Sequence, residues 1–128
     1  MQVTCRERPA PGVLAEPFPK RPEMYTDPSF GGQIVVMTAP MIGNYGVTQL
    51  DDESGKPQVS GVVVRELSRH WSNWRGEQSL ESWLDAAGIP ILTGVDTRRL
   101  TRHFREKGAL RGVIAEGAAP TGAMQQTL

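Results

Sequence analysis

TDPSFGGQIVVMTAPMIGNYGV, residues 26–47, joins a turn, a short apolar run and a glycine-rich loop. It opens on turn chemistry: Asp27 stands before a proline and so favours extended backbone, and Pro28 presets φ for a turn. QIVVMT (33–38) then reads as a short, β-branched buried strand that must end at Pro40. IGNYGV (42–47) reads as a loop, because Gly43, Asn44 and Gly46 tolerate φ > 0. After Asp27 no charged side chain appears until Asp51, which raises the question of a membrane span. The stretch fails that test. Prolines, glycines and glutamines interrupt it, and its longest apolar run, Ile34 to Met37, is far short of the roughly 20 residues a spanning helix needs. The N-terminus has no continuous apolar stretch of a signal-peptide kind either.

Working toward the C-terminus, DDESGKPQ (51–58) is an exposed polar connection and GVVVREL (61–67) a second strand. In SLESWLDAAG (79–88), Leu80, Trp83, Leu84 and Ala87 recur at i, i+3, i+4 and i+7, one apolar face of a helix. Ser79 is its candidate N-cap and Gly88 its candidate C′ residue. IPILTG (89–94) predicts a third strand. VDTRRLTRHFREKG (95–108) carries strong helix-start chemistry: Asp96 can cap, and Val95 can staple against Leu100. Gly108 closes that helix, LRGVIAEG (110–117) predicts a last strand, and the tail from Ala118 is small and polar. Toward the N-terminus the character changes. Pro9, Pro11, Pro17, Pro19 and Pro22 give residues 1–22 a proline density that reads as extended or disordered chain. Strands alternating with helices in the second half place the domain in the mixed α/β class.

The totals exclude more than they propose. The 128 residues fit one domain, and 38% hydrophobic with 22% charged residues is an ordinary globular composition. Fourteen basic and fourteen acidic residues cancel, so no net charge draws the chain to nucleic acid or to an anionic membrane. The single cysteine, Cys5, rules out an internal disulfide framework and suits a reducing cytosol. Cys5, His70 and His103 match no metal-ligand spacing, and no glycine pattern qualifies as a nucleotide loop. Cys5 has no nearby base or helix start to activate it, so no catalytic residue is expected. Trp83 is expected in the core. Trp71 and Trp74 in HWSNWR (70–75) fit either an interface patch or a core edge around a turn. Arg98, Arg99, Arg102, Arg105 and Lys107 make the last helix basic. Without a basic domain or interleaved aromatics, a solvated or protein-binding face is the better reading than nucleic acid.

Taken together, TDPS, IGNYG, DDES, GVVVREL, SNWR, SLESWL and GIPILTGVDTRRLTRHFREKGALRGVI closely resemble the N-terminal domain of the small, glutamine-hydrolysing subunit of carbamoyl-phosphate synthase. The resemblance covers roughly residues 23–115 and divides the chain into an atypical lead (1–22), that domain (23–117) and a tail or linker (118–128). It implies a swivelling β/β/α domain that docks on the large synthetase subunit, beside a class I amidotransferase whose Cys-His-Glu triad hydrolyses glutamine. Ammonia would pass to the large subunit, which uses ATP and bicarbonate to make carbamoyl phosphate for arginine and pyrimidine synthesis in the cytoplasm. It further implies that Ser29, the serine of TDPS, helps bind L-glutamine, and that this chain itself holds no cofactor and no metal. Two departures stand out. Residues 1–22 do not match the strand-rich start of the family, so the first strands are expected to be missing or replaced. No residues here match the amidotransferase domain, so the chain alone is expected to be inactive. A non-catalytic docking module of the same fold is the alternative.

Overall fold

The valine-rich stretch at 34–37 becomes the middle of a parallel sheet. The computed structural model describes residues 8–10, 13–16, 23–48, 56–72, 76–108 and 110–114; residues 8–10, 13–16 and 23 are described by backbone alone. The elements run β1 (Arg8–Ala10), β2 (Val13–Glu16), α1 (Glu23–Thr26), a 3-10 turn (Pro28–Phe30), β3 (Ile34–Met37), β4 (Met41–Ile42), β5 (Gly61–Val63), β6 (Glu66–Leu67), α2 (Leu80–Ala86), β7 (Ile91–Leu92), α3 (Thr97–Lys107) and β8 (Gly112–Ile114). A four-stranded sheet has the order β2-β3-β5-β7, with every neighbouring pair parallel. Two smaller sheets pair β4 with β6 in parallel and β1 with β8 antiparallel.

Period-two alternation along β3 explains why Ile34 to Met37 carries no polar residue. Ile34 and Val36 point into one apolar cluster with Val63 and Ile114; Val35 and Met37 point into another with Val62, Val64, Leu80 and Leu84. All four β3 side chains are buried, as a strand with both faces covered requires. α2 covers the second cluster, with Trp83, Phe30 and Leu67 half-buried at its margin. Val95, Leu100 and Phe104, on and just before α3, cover the first.

Both long helices begin and end where the sequence signals. Ser79 caps α2, its side chain accepting from the Ser82 N–H at 3.1 Å. At the other end the Gly88 N–H reaches the Asp85 carbonyl at 2.8 Å and the Ile89 N–H the Leu84 carbonyl at 2.9 Å, a Schellman closure with Leu84 and Ile89 in one cluster. Asp96 caps α3 by accepting from the Arg99 N–H at 3.0 Å, and Gly108 ends it.

The lead, expected to be extended or disordered with the family's first strands missing or replaced, is extended at 8–10 and 13–16, where β1 pairs with β8 and β2 with β3. Proline density argues against helix, not against a short strand in a two-stranded pair, and Pro9 itself sits within β1. Two expectations need correction. GVVVREL is two strands, because the chain leaves the central sheet after Val63 and Glu66–Leu67 pairs with β4 instead. Trp83 is half-buried at the rim, where its ring meets Tyr25 at a 6.4 Å centroid distance, rather than in the core. Cys5, Trp74, all of DDES and the tail from Ala118 lie outside the described residues.

Candidate functional site

The site begins with a buried anchor. Met24, Tyr25 and Thr26 are buried, and burial pushes the Tyr25 phenol well above its ordinary pKa. The Tyr25 carbonyl accepts from the Gln58 N–H at 2.7 Å, which ties this segment to the chain entering β5. The chain then turns outward. Asp27, with extended φ −67° and ψ 120°, caps the 3-10 turn; Pro28 occupies its first position; the Gly31 N–H closes on the Pro28 carbonyl at 3.0 Å. A Cβ at Gly31 would stand 2.9 Å from that carbonyl oxygen, so the turn admits no larger residue without shifting. The Gly32 N–H donates to the Gln58 carbonyl at 3.1 Å, after which β3 begins. The turn is therefore bolted at both ends, and Ser29 is exposed at its crest.

Asp27 and Ser29 form one unit. The Ser29 backbone N–H donates to Asp27 Oδ1 at 2.8 Å, and Ser29 Oγ donates to the same oxygen at 2.6 Å. The hydroxyl bond first, and the backbone bond second, hold the Asp27 carboxyl below its ordinary pKa, because both donors favour the charged form. Such a turn can bind a polar group. It holds no nucleophile activated by a base, and among the described residues no set of three or more His, Cys, Asp or Glu gathers as a metal site.

Other candidates are scattered. His70 and His103 are exposed, the first in the loop after β6 and the second on α3. Arg98, Arg99, Arg102, Arg105 and Lys107 are all exposed on α3, as a solvated or protein-facing helix surface requires. Trp71 is 41% exposed and lies beside the IGNYG loop, in which Gly43 and Gly46 take φ of 87° and 74°. No described helix is long and apolar enough to cross a membrane.

One feature escaped the sequence reading. A cleft of about 710 Å³ opens at the C-terminal ends of β5 and β7, with Arg65 and Arg69 on one side and Glu81 and Asp85 of α2 on another. The lining residues are spread over 41–94 and form no local motif. The signal that could have found them is topological, since crevices in parallel sheets open beyond the carboxyl ends of strands.

Comparison with known proteins gives one answer. Residues 20–114 match the family model described as "Carbamoyl-phosphate synthase small chain, CPSase domain". The carbamoyl phosphate synthase small chain of Akkermansia muciniphila is 50% identical over 103 residues, covering 80% of this chain and 28% of the relative. That of Symbiobacterium thermophilum is 56% identical over 101 residues, covering 77% of this chain and 28% of the relative. The chain thus spans little more than a quarter of the length of these relatives.

Proposed function

Because the chain belongs to the carbamoyl-phosphate synthase small-chain family, we propose that it works as part of the glutamine-hydrolysing subunit of that ligase. The exposed Ser29 at the crest of a doubly anchored turn carries this reading. In it, Ser29 binds L-glutamine at the edge of the amidotransferase site of that subunit. Ammonia released there reaches the large subunit, which consumes ATP and bicarbonate to make carbamoyl phosphate for arginine and pyrimidine biosynthesis in the cytoplasm. A turn fixed by Pro28, Gly31 and two flanking backbone bonds offers its hydroxyl with little ordering cost. The finer fold is the swivelling β/β/α domain of this subunit.

Alone, the chain does not hydrolyse glutamine; turnover by the purified chain, abolished by Cys5→Ala, would overturn that part. The positive test supplies an amidotransferase domain and a large subunit. Glutamine-dependent carbamoyl phosphate formation that requires this chain supports the reading, and a rate independent of the chain removes it. The exposed arginines of α3 favour a second reading, a docking module without a ligand role. Under it, Ser29→Ala leaves the glutamine dependence of the assembly untouched.

A further inference from the structure

A serine hydroxyl has one proton to give and two lone pairs that accept. In Ser29 the proton is already committed, because Oγ donates to Asp27 Oδ1 at 2.6 Å. The Ser29 backbone N–H donates to the same oxygen at 2.8 Å. Both bonds are charge-assisted, the stronger class, and the lowered pKa of Asp27 fits two donors converging on one carboxylate. Asp27 is itself held in place, between the buried Thr26 and the ring of Pro28. What Ser29 leaves exposed is therefore acceptor capacity.

We propose that Asp27 is the positioning residue of this site: it turns the Ser29 hydroxyl proton inward, so that Oγ meets the ligand as a hydrogen-bond acceptor for the α-ammonium of an amino acid. The inference rests on the reading that Ser29 faces glutamine. Two physical reasons set the polarity. A ligand carboxylate would find no free proton at Oγ and would approach the negative charge of Asp27, which like-charge repulsion disfavours. A ligand ammonium donates to the free lone pairs and is attracted by the same charge. The third polar end of glutamine, the carboxamide, is the group that is hydrolysed. It belongs at the hydrolysing residue of the amidotransferase site, not at this turn.

The test uses the assembly of this chain with an amidotransferase domain and a large subunit. The KM for L-glutamine is measured beside the inhibition constant of its desamino analogue, glutaramate. Ser29→Ala and Asp27→Ala should each raise the KM for L-glutamine about tenfold, the worth of one hydrogen bond to a charged group, while kcat falls less. Asp27→Asn keeps an oxygen for both Ser29 donors but loses the charge, and should lie between. Wild type should prefer L-glutamine to glutaramate, and Ser29→Ala should lose most of that preference. Melting temperatures report folding separately, and the Asn variant carries the test where the Ala variant melts early. A preference for L-glutamine that survives Ser29→Ala overturns the inference, as does an unchanged KM in both Asp27 variants beside a raised KM in Ser29→Ala. An unchanged KM in Ser29→Ala instead removes the glutamine reading itself.

Discussion

The indole of Trp71 lies against Gly46 so closely that a Cβ at Gly46 would stand 2.7 Å from Trp71 Cδ1. Gly46 also takes a φ of 74°, where a side chain costs about 1–2 kcal/mol. Gly46→Ala should therefore carry both penalties, backbone strain and displacement of the ring. Gly94→Ala serves as the control, since Gly94 has a φ of 79° with nothing within 4 Å of its Cβ position. Urea unfolding should show Gly46→Ala the more destabilised of the two. Equal losses would mean that the ring contact contributes nothing.

Leu84 is fully buried in the larger cluster and stands at the Schellman closure of α2. Leu84→Ala should lose about 2–5 kcal/mol, the range for a core leucine whose cavity collapses only in part. Asp96→Ala removes the α3 cap and should lose about 1 kcal/mol. Chemical denaturation of both variants checks the order; a cap loss as large as the core loss would contradict the packing described for Leu84.

The Asp27 carboxyl is held below its ordinary pKa by Ser29, so its protonation tests the clamp. The sign follows from the folded value lying under the unfolded one. The clamp is complete above the ordinary aspartate range and is lost as pH falls through the folded value beneath it. A carbon-detected titration should give Asp27 a midpoint below that of an unperturbed aspartate, and Ser29→Ala should move it back up. A midpoint indifferent to Ser29→Ala would mean that the hydroxyl does not donate to Asp27 in solution.

Arg98, Arg102 and Arg105 share one exposed face of α3, opposite the face through which Leu100 and Phe104 pack. Guanidinium groups match carboxylates bidentately, so under the proposed function this face meets an acidic surface of the large subunit or of the amidotransferase domain. Arg102→Glu should weaken assembly at least tenfold in a binding measurement and shift the melting temperature by no more than about 2 °C, as for an exposed residue. Assembly with wild-type affinity would leave this face to solvent.

How much of this was legible depended on the range of each signal. Helix ends are local: Ser79, Gly88, Asp96 and Gly108 mark them within one turn, and the structure uses all four. Ile34 to Met37 is legible too, because a short β-branched apolar run between turn signals fits a strand covered on both faces. The break after Val63 was not legible, since GVVVREL has strand character throughout and only the partner changes, from β3 and β7 to β4. The strands in the lead were hidden by their prolines, and what fixes them lies far along the chain, in β3 and β8. At the site, Asp-Pro-Ser announces a turn, but the direction of the Ser29 proton depends on geometry that no spacing encodes.

The pairing of Arg8 with Ile114 and of Val13 with Ile34 has a kinetic consequence. β1 can find its partner only after β8 has been made, so the first of the described strands waits for the last of them. Closing so long a loop before any contact rewards it slows folding, and the nascent chain holds a bare strand meanwhile. Refolding should accordingly be slow for a domain of this size, and a chain cut before Gly112 should stay open at that edge and be captured readily by chaperones that bind exposed strands.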